Sequence, residues 1–200
     1  MPPDSLIPKS EKQKPEILHR QTVTHSRLFR ADEIHLRFSN GEERHYEKLC
    51  SSGNGAVLIV PLLDENTVLL VREYAMGLEN YHLAFAKGAR DPGESLYQAA
   101  NRELKEEVGY GATELVFLKR IYLSPSYMEH SINVFVARGL YPEKLEGDEP
   151  EPIEIEALKL SDINQFMMRS DVCEGRSMAA IFLVREWLAG NFVPSEECPS

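Results

Sequence analysis

Three glutamates near the middle of the sequence are the residues best suited to chemistry. Glu103, Glu106 and Glu107 are spaced i, i+3 and i+4, so on a helix with about 100° per residue they lie near one another. Like charges at this spacing repel, and a position near the C-terminal end of a helix disfavours negative charge further. Clustered carboxylate oxygens are ligands that Mg²⁺ prefers, so the pattern indicates a divalent-cation site. A solvated acidic helix face is the alternative interpretation.

The helix that must carry these glutamates is predicted over residues 95–108. Ser95 and Gln98 have the spacing of a capping box, and Gly109 is the expected stop. The glutamates then project from the edge of the buried face. That face has an apolar residue at every fourth position: Leu96, Ala100, Leu104 and Val108.

The residues around the helix form a longer pattern. From Gly88 the sequence continues five residues to Glu94 and seven more to the run R-E-L-K-E-E-V-G-Y at 102–110. This resembles the Nudix box, in which a glycine, five residues, a glutamate and seven residues precede R-E-U-x-E-E-x-G-U, where U is a bulky aliphatic residue. Eight of the nine specified positions match, and Tyr110 is the aromatic exception. This spacing favours the metal site over the solvated face.

The resemblance implies a loop–helix–loop that binds Mg²⁺ and hydrolyses a diphosphate bonded to another moiety. It implies that Glu103 and Glu107 are metal ligands and that Glu106 is a further ligand or the catalytic base. The backbone carbonyl of Lys87 is implied as another ligand, and Mn²⁺ as a substitute for Mg²⁺. Four box residues are implied in structural and orienting roles: Gly88, Glu94, Arg102 and Gly109.

Residues outside the box bear on the substrate. An R-E-Y segment that begins at Arg72 resembles one common in the ADP-ribose pyrophosphatase branch of the family, which implies that Arg72 binds substrate. Tyr46 is implied as a second substrate contact. The acidic loop 148–154 resembles the loop from which that branch supplies a late glutamate, so Glu151 is implied as the loop candidate for the catalytic base. The branch commonly has glutamate where this sequence has His82.

The implied reaction is Mg²⁺-dependent hydrolysis of ADP-X compounds, such as ADP-ribose, diadenosine polyphosphates and NADH, to AMP and a phosphorylated X. Two alternatives stay open: another nucleotide-sugar pyrophosphatase, and a non-catalytic Nudix sensor of ADP-ribose-like ligands. A sensor is expected to have lost box glutamates, and all four are intact here.

The elements that must position these residues are strands interrupted by a few helices. Arg27–Phe38 and Glu42–Leu49 are predicted strands joined by a tight turn at Asn40-Gly41. Further elements are predicted as strands at 56–60, 67–74, 81–86, 115–123, 132–138 and 153–160, and as closing helices near 162–169 and 177–188. The resemblance implies an α/β fold, a Nudix α/β/α sandwich with a mixed sheet, preceded by an N-terminal β-hairpin. The implied divisions are a flexible lead at 1–16, a hairpin region at 17–50, a Nudix domain at 51–190 and a flexible tail at 191–200.

Composition and charge narrow the classes of function. The 200 residues contain 22 lysines and arginines against 32 aspartates and glutamates, a net charge of −10, which disfavours a nucleic-acid partner. The longest apolar run, Ala56–Leu63, is too short to cross a membrane, and the polar N-terminus lacks the apolar core of a secretion signal. Three cysteines without C-x-x-C spacing suit a reducing compartment. A cytoplasmic protein is therefore expected, and the resemblance implies that its partners are small nucleoside diphosphate derivatives.

An apolar face in the predicted hairpin indicates self-association. Ile34, Leu36 and Phe38 alternate with polar residues, and an exposed face of this kind needs a partner. Relatives in the resembled branch are commonly dimers, so a symmetric homodimer is expected.

Overall fold

A computed structural model of the protein describes residues 12–51, 53 and 55–194. These residues form two compact units, one with 12–51 and 124–130, the other with 53, 55–123 and 131–194. Most of the predicted lead and the last six positions of the predicted tail, with Cys198, lie outside the described residues.

The first unit contains an antiparallel sheet of three strands. They are β1 (Glu16–His25), β2 (Arg30–Arg37) and β3 (Glu43–Cys50), in the order β1–β2–β3. The predicted hairpin is present as β2 and β3, and its turn places Gly41 at φ 84°, a conformation that favours glycine. The prediction of a hairpin alone is incomplete, because β1 adds a third strand and begins at the last residue of the predicted lead.

Segment 124–130 completes this unit from far along the chain. The amide of Leu49 donates to the carbonyl of Tyr127 at 2.8 Å, and the amide of Glu129 donates to the carbonyl of Leu49 at 2.9 Å. An ion pair joins Lys48 Nζ to Glu129 Oε1 at 3.2 Å. The unit is therefore built from two separate stretches of sequence.

The apolar face predicted on β2 is less exposed than expected. Ile34 is 8% exposed, and Leu36 and Phe38 are half-buried. Other residues of the same chain therefore already shield much of this face from solvent. The exposed large apolar side chains of the first unit include Ile17, Val23, Leu28, Phe29 and Tyr46.

The second unit contains a mixed sheet of seven strands. The strands are β4 (Ala56–Asp64), β5 (Thr67–Ala75), β6 (Asn80–Ala84), β7 (Lys87–Ala89), β8 (Tyr110–Tyr122), β9 (Ser131–Pro142) and β10 (Glu154–Lys159). The main path runs β10–β5–β4–β9–β8, with β6 paired to β5 and β7 paired to β4. β4 and β9 are parallel, whereas the other pairs described in this sheet are antiparallel.

Helices cover both faces of this sheet. They are α1 (Leu96–Glu103), α2 (Ile163–Phe166) and α3 (Gly175–Leu188). Because neighbouring residues on a strand point to opposite faces, Leu58 of β4 belongs to an apolar cluster with Ile181 of α3, and Ile59 belongs to a cluster with Ala100 of α1. The predicted α/β/α sandwich is confirmed. None of the helices that the structure describes is long and apolar enough to span a membrane.

The helix predicted over 95–108 forms in two parts. α1 has the predicted capping box, in which Ser95 and Gln98 exchange hydrogen bonds between side chain and backbone. After α1 the chain continues as a π-helical turn, Leu104–Val108, and ends at Gly109 in the left-handed conformation. The π turn carries two of the three clustered glutamates, so their directions differ from those on a regular α-helix.

Candidate active site

The clustered glutamates line a cavity of about 700 Å³ in the second unit. Glu103 ends α1, and Glu106 and Glu107 are on the π turn that follows it. Strand β7 brings Lys87 and Gly88 to the same cavity. Other carboxylates on the wall come from β5 and from loops: Glu73, Asp91, Glu146, Asp148 and Glu149. The cavity is therefore strongly acidic.

Glu107 is a buried carboxylate with an unsatisfied oxygen. It is 4% exposed, and its Oε2 atom has no hydrogen-bond partner among the residues described. The other oxygen, Oε1, accepts from the backbone amide of Lys87 at 3.4 Å. Burial raises the pKa of Glu107 to about 8, although the nearby Lys87 ammonium acts in the opposite direction. Because a buried unpaired carboxylate is costly, this group indicates a cation site.

Glu103 stands directly against the backbone of Gly88. A β-carbon on Gly88 would overlap the Glu103 carboxylate, so glycine alone allows this approach. Glu103 is also buried, and burial raises its pKa although the hydrogen-bonded Arg102 guanidinium acts against this. The first glycine of the box therefore has a steric role at the site.

Arg102 orients the glutamates of the box. Its Nη1 atom donates to Glu103 Oε1 at 2.8 Å and to Glu106 Oε2 at 2.9 Å. Its Nε and Nη2 atoms donate to the two oxygens of Glu94 at 3.0 and 3.1 Å. Nη2 also donates to the carbonyl of Ala89 at 2.9 Å. These five hydrogen bonds match the five N–H groups of a guanidinium, so every donor of Arg102 is already used by a protein oxygen.

The donor chemistry of the cavity fits a hard divalent cation. In the part of the chain that the structure describes, no group of three or more His, Cys, Asp or Glu side chains already has the arrangement of a metal site. Arg102 contacts one oxygen each of Glu103 and Glu106, which leaves a second oxygen on each, and Glu107 Oε2 has no partner there. Oxygen ligands of this kind suit Mg²⁺ and Mn²⁺. The predicted glutamate ligands are brought together, and their metal role, like that of the Lys87 carbonyl, stays a prediction.

The acidic loop after β9 is divided between two cavities. Glu149 lines the large cavity with the box glutamates. Glu151, two residues later, accepts a hydrogen bond from the Tyr81 hydroxyl and lines a second cavity of about 270 Å³. The catalytic role predicted for Glu151 stays a prediction, and among the glutamates of loop 148–154 it is Glu149 that lines the cavity with the box.

The predicted substrate-binding residues Arg72 and Tyr46 do not line the large cavity. Arg72 Nη2 donates to Asp171 at 2.9 Å and to Glu156 at 3.4 Å, and its Nε atom lies 3.6 Å from Glu154. Three carboxylates thus balance the charge of Arg72, which lies with Glu154 in the wall of the second cavity. Tyr46 lies on β3 in the first unit, half-exposed. Their substrate roles also stay predictions.

Glu73 is a cavity carboxylate that the sequence interpretation missed. It follows Arg72 on β5, and because neighbouring residues on a strand point to opposite faces, the two side chains diverge. Lys87 Nζ forms an ion pair with Glu73 Oε1, and Nε2 of the buried His82 lies 3.4 Å from the same oxygen. Strand alternation is the signal that could have indicated Glu73.

Known proteins resemble this chain over most of its length. It is 51% identical over 179 residues to ADP compounds hydrolase NudE of Escherichia coli (strain K12), covering 90% of this chain and 96% of that protein. It is 31% identical over 129 residues to ADP-ribose pyrophosphatase of Bacillus subtilis (strain 168), covering 64% of this chain and 70% of that protein. A crystal structure of an ADP compounds hydrolase is similar, with a TM-score of 0.84 and 50% identity over 90% of this chain and 97% of that one.

Two domain families match the chain itself. The NudE-type Nudix hydrolase N-terminal domain matches residues 15–48, where β1, β2 and most of β3 lie. The NUDIX domain matches residues 54–177, which include the box, the acidic loop and both cavities described above. The predicted family is confirmed, and the chain belongs to the Nudix hydrolases, with an N-terminal domain of the NudE type.

Proposed function

We propose that this Nudix hydrolase uses Mg²⁺ to cleave the diphosphate of ADP-X compounds to AMP and a phosphorylated X. The observation that carries the proposal is the buried Glu107, which lines a cavity with Glu103 and Glu106 and has one oxygen without a hydrogen-bond partner among the described residues. The names of the two relatives support ADP compounds, with ADP-ribose among them, as the substrate class. Diadenosine polyphosphates and NADH are proposed as further substrates.

The box residues have distinct tasks in this proposal. Glu103, Glu106 and Glu107 hold Mg²⁺, with the backbone carbonyl of Lys87 as a further ligand. When bound, the ion supplies charge neutralisation of the diphosphate and lowers the pKa of water. Arg102 fixes the glutamates, because its hydrogen bonds to them leave little freedom to turn.

A carboxylate must accept the proton of the attacking water. Glu106 is one candidate, although Arg102 already occupies one of its oxygens. Glu149 is proposed ahead of Glu151, because Glu149 lines the large cavity, whereas Glu151 is hydrogen-bonded to Tyr81 in the second one. Glu151 becomes the base only if the loop moves when substrate binds.

A substrate panel tests the function directly. ADP-ribose, diadenosine tetraphosphate, NADH and GDP-mannose are incubated with the protein and Mg²⁺, and the products are separated and identified. AMP is expected from the ADP compounds, and no product when EDTA replaces Mg²⁺. Cleavage of GDP-mannose alone would indicate the nucleotide-sugar alternative. Tight binding of ADP-ribose without any cleavage would indicate a sensor.

We also propose that the protein is a homodimer in the cytoplasm. Exposed apolar side chains on the first unit, including Ile17, Leu28 and Phe29, support self-association. Cys50 and Cys173 are free thiols, which supports a reducing compartment. Light scattering at micromolar concentration distinguishes the dimer from a monomer.

A further inference from the structure

Two cationic side chains, Lys87 and Arg102, lie among the carboxylates of the large cavity, and they differ in how many of their N–H groups are already hydrogen-bonded. Lys87 and Arg102 are the Lys and Arg residues in the described cavity wall. Arg102 uses all five N–H groups on protein oxygens, as shown above. Lys87 forms an ion pair with Glu73, and its ammonium group has three donors at the end of a flexible stem. Lys87 can therefore change partner, whereas Arg102 cannot do so without releasing the box glutamates.

Glu73, the ion-pair partner of Lys87, also lies next to His82. Glu73 Oε1, the oxygen that pairs with Lys87, lies 3.4 Å from Nε2 of His82. His82 is 3% exposed, and burial lowers its pKa, with the Lys87 charge acting in the same direction. Burial thus disfavours a charge on His82, and Lys87 is the cation paired with Glu73 at this wall.

The backbone of Lys87 lies beside the proposed metal ligand Glu107. Strand β7 pairs Lys87 with Leu58 of the buried β4, and the Lys87 amide donates to Glu107. A lysine anchored at this point has its stem beginning beside the proposed metal ligands. The cavity wall around it is otherwise rich in negative charge, which repels a diphosphate unless cations compensate.

We propose that the Lys87 ammonium binds the diphosphate of the substrate and exchanges Glu73 for a phosphate oxygen when it does so. The inference rests on the proposed function, because it assigns a ligand to the same diphosphate. Glu73 is then a positioning residue that keeps Lys87 in the cavity wall before the substrate arrives. A lysine suits this exchange, because it binds phosphate as a mobile point charge rather than in a fixed planar geometry.

Substitutions of Lys87 and of Glu73 are expected to change the affinity for phosphate in different ways. Lys87→Met removes the cation and should weaken binding of imidodiphosphate by about 10-fold or more, the range for a hydrogen bond to a charged group. Glu73→Gln removes the competing carboxylate but keeps its shape, so affinity should stay equal or increase. The matched control is Lys105→Met, since Lys105 pairs with Glu143 at 2.9 Å outside the cavity wall.

Calorimetry tests this with the full-length chain and non-hydrolysable imidodiphosphate, at Mg²⁺ concentrations that saturate each variant. Lys87→Arg, which keeps the charge, should retain most of the affinity, and thermal melting shows that each variant is folded. The inference is wrong if Lys87→Met binds like Lys105→Met, or if Lys87→Met and Glu73→Gln weaken binding equally, as a purely structural pair would. ADP-ribose hydrolysis is assayed separately. Binding that depends on Lys87 without hydrolysis of any ADP compound would refute the proposed function and leave this inference standing.

Discussion

Gly88 and Glu103 are in direct contact, at a separation that no β-carbon on residue 88 would allow. The contact joins β7 to the last residue of α1, which is the next element along the chain. A box glycine thereby sets the position of a proposed metal ligand fifteen residues further along the chain.

Gly88→Ala is therefore expected to lower kcat for ADP-ribose by about 100-fold, because the added methyl group must displace either the Glu103 carboxylate or β7. Gly77→Ala is the matched control, since a β-carbon at Gly77 meets nothing within 4 Å, and it should behave like the wild type. Circular dichroism checks that both variants are folded. Normal turnover of Gly88→Ala would mean that the position of Glu103 has little effect on the reaction.

Glu107→Gln tests the metal assignment. Glutamine keeps the shape of the side chain but removes the charge, so kcat should fall by orders of magnitude in Mg²⁺. The melting temperature in EDTA should be equal to or above that of the wild type, because burial disfavours the charged form of Glu107, a form that glutamine does not have. Near-normal turnover in Mg²⁺ would remove Glu107 from the ligand set.

The two loop glutamates distinguish the candidates for the base. Glu149→Gln should lower kcat by about 10²-fold or more, because Glu149 already lines the cavity. Glu151→Gln should retain most of the activity, since Glu151 is engaged with Tyr81 in the second cavity. Both are compared with Glu106→Gln in the same assay. The opposite ranking of the two loop variants would show that the loop carries Glu151 to the substrate.

Asp171 should make the stability of the second unit depend on pH. Hydrogen bonds from Arg169 and then from Arg72 lower its pKa from 3.8 to about 2. A carboxyl group with a lowered folded-state pKa stabilises the protein above its unfolded-state value, and this stabilisation is lost as the pH falls through the folded-state value. Asp171→Asn should therefore melt below the wild type at pH 7, and the difference should shrink between about pH 4 and pH 2. Melting curves that differ equally at all these pH values would contradict the prediction.

Local signals explain which parts of the fold could be predicted. The Asn40-Gly41 turn identifies the β2–β3 hairpin, and the capping residues identify the start of α1. β1 gives no such signal, because almost all its residues are exposed and its apolar residues do not alternate. It is a strand because β2 offers it a hydrogen-bonding edge, which no property of its own residues reveals.

Local sequence signals likewise identify only some residues of the candidate site. Glu103, Glu106 and Glu107 could be grouped from helical spacing alone, since all three lie within two turns of one helical segment. The contributions of Glu73 and Glu149 depend on how β5 and the acidic loop are packed in three dimensions. Tertiary packing also gives Arg72 three carboxylate neighbours from distant parts of the chain. No pattern near Arg72 in the sequence indicates them.

The divided origin of the first unit has a consequence for synthesis on the ribosome. β1, β2 and β3 emerge early, but the backbone groups of Leu49 find their partners only when Tyr127 and Glu129 follow. By then β4 to β8 have already been synthesised, so five strands of the second unit precede the last segment of the first unit. If the chain were divided after Ser51, segment 124–130 would be on the C-terminal fragment, separated from the strands that it contacts. A gene fusion that carries only residues 12–51 therefore loses the hydrogen bonds of Leu49 and the ion pair of Lys48 with Glu129.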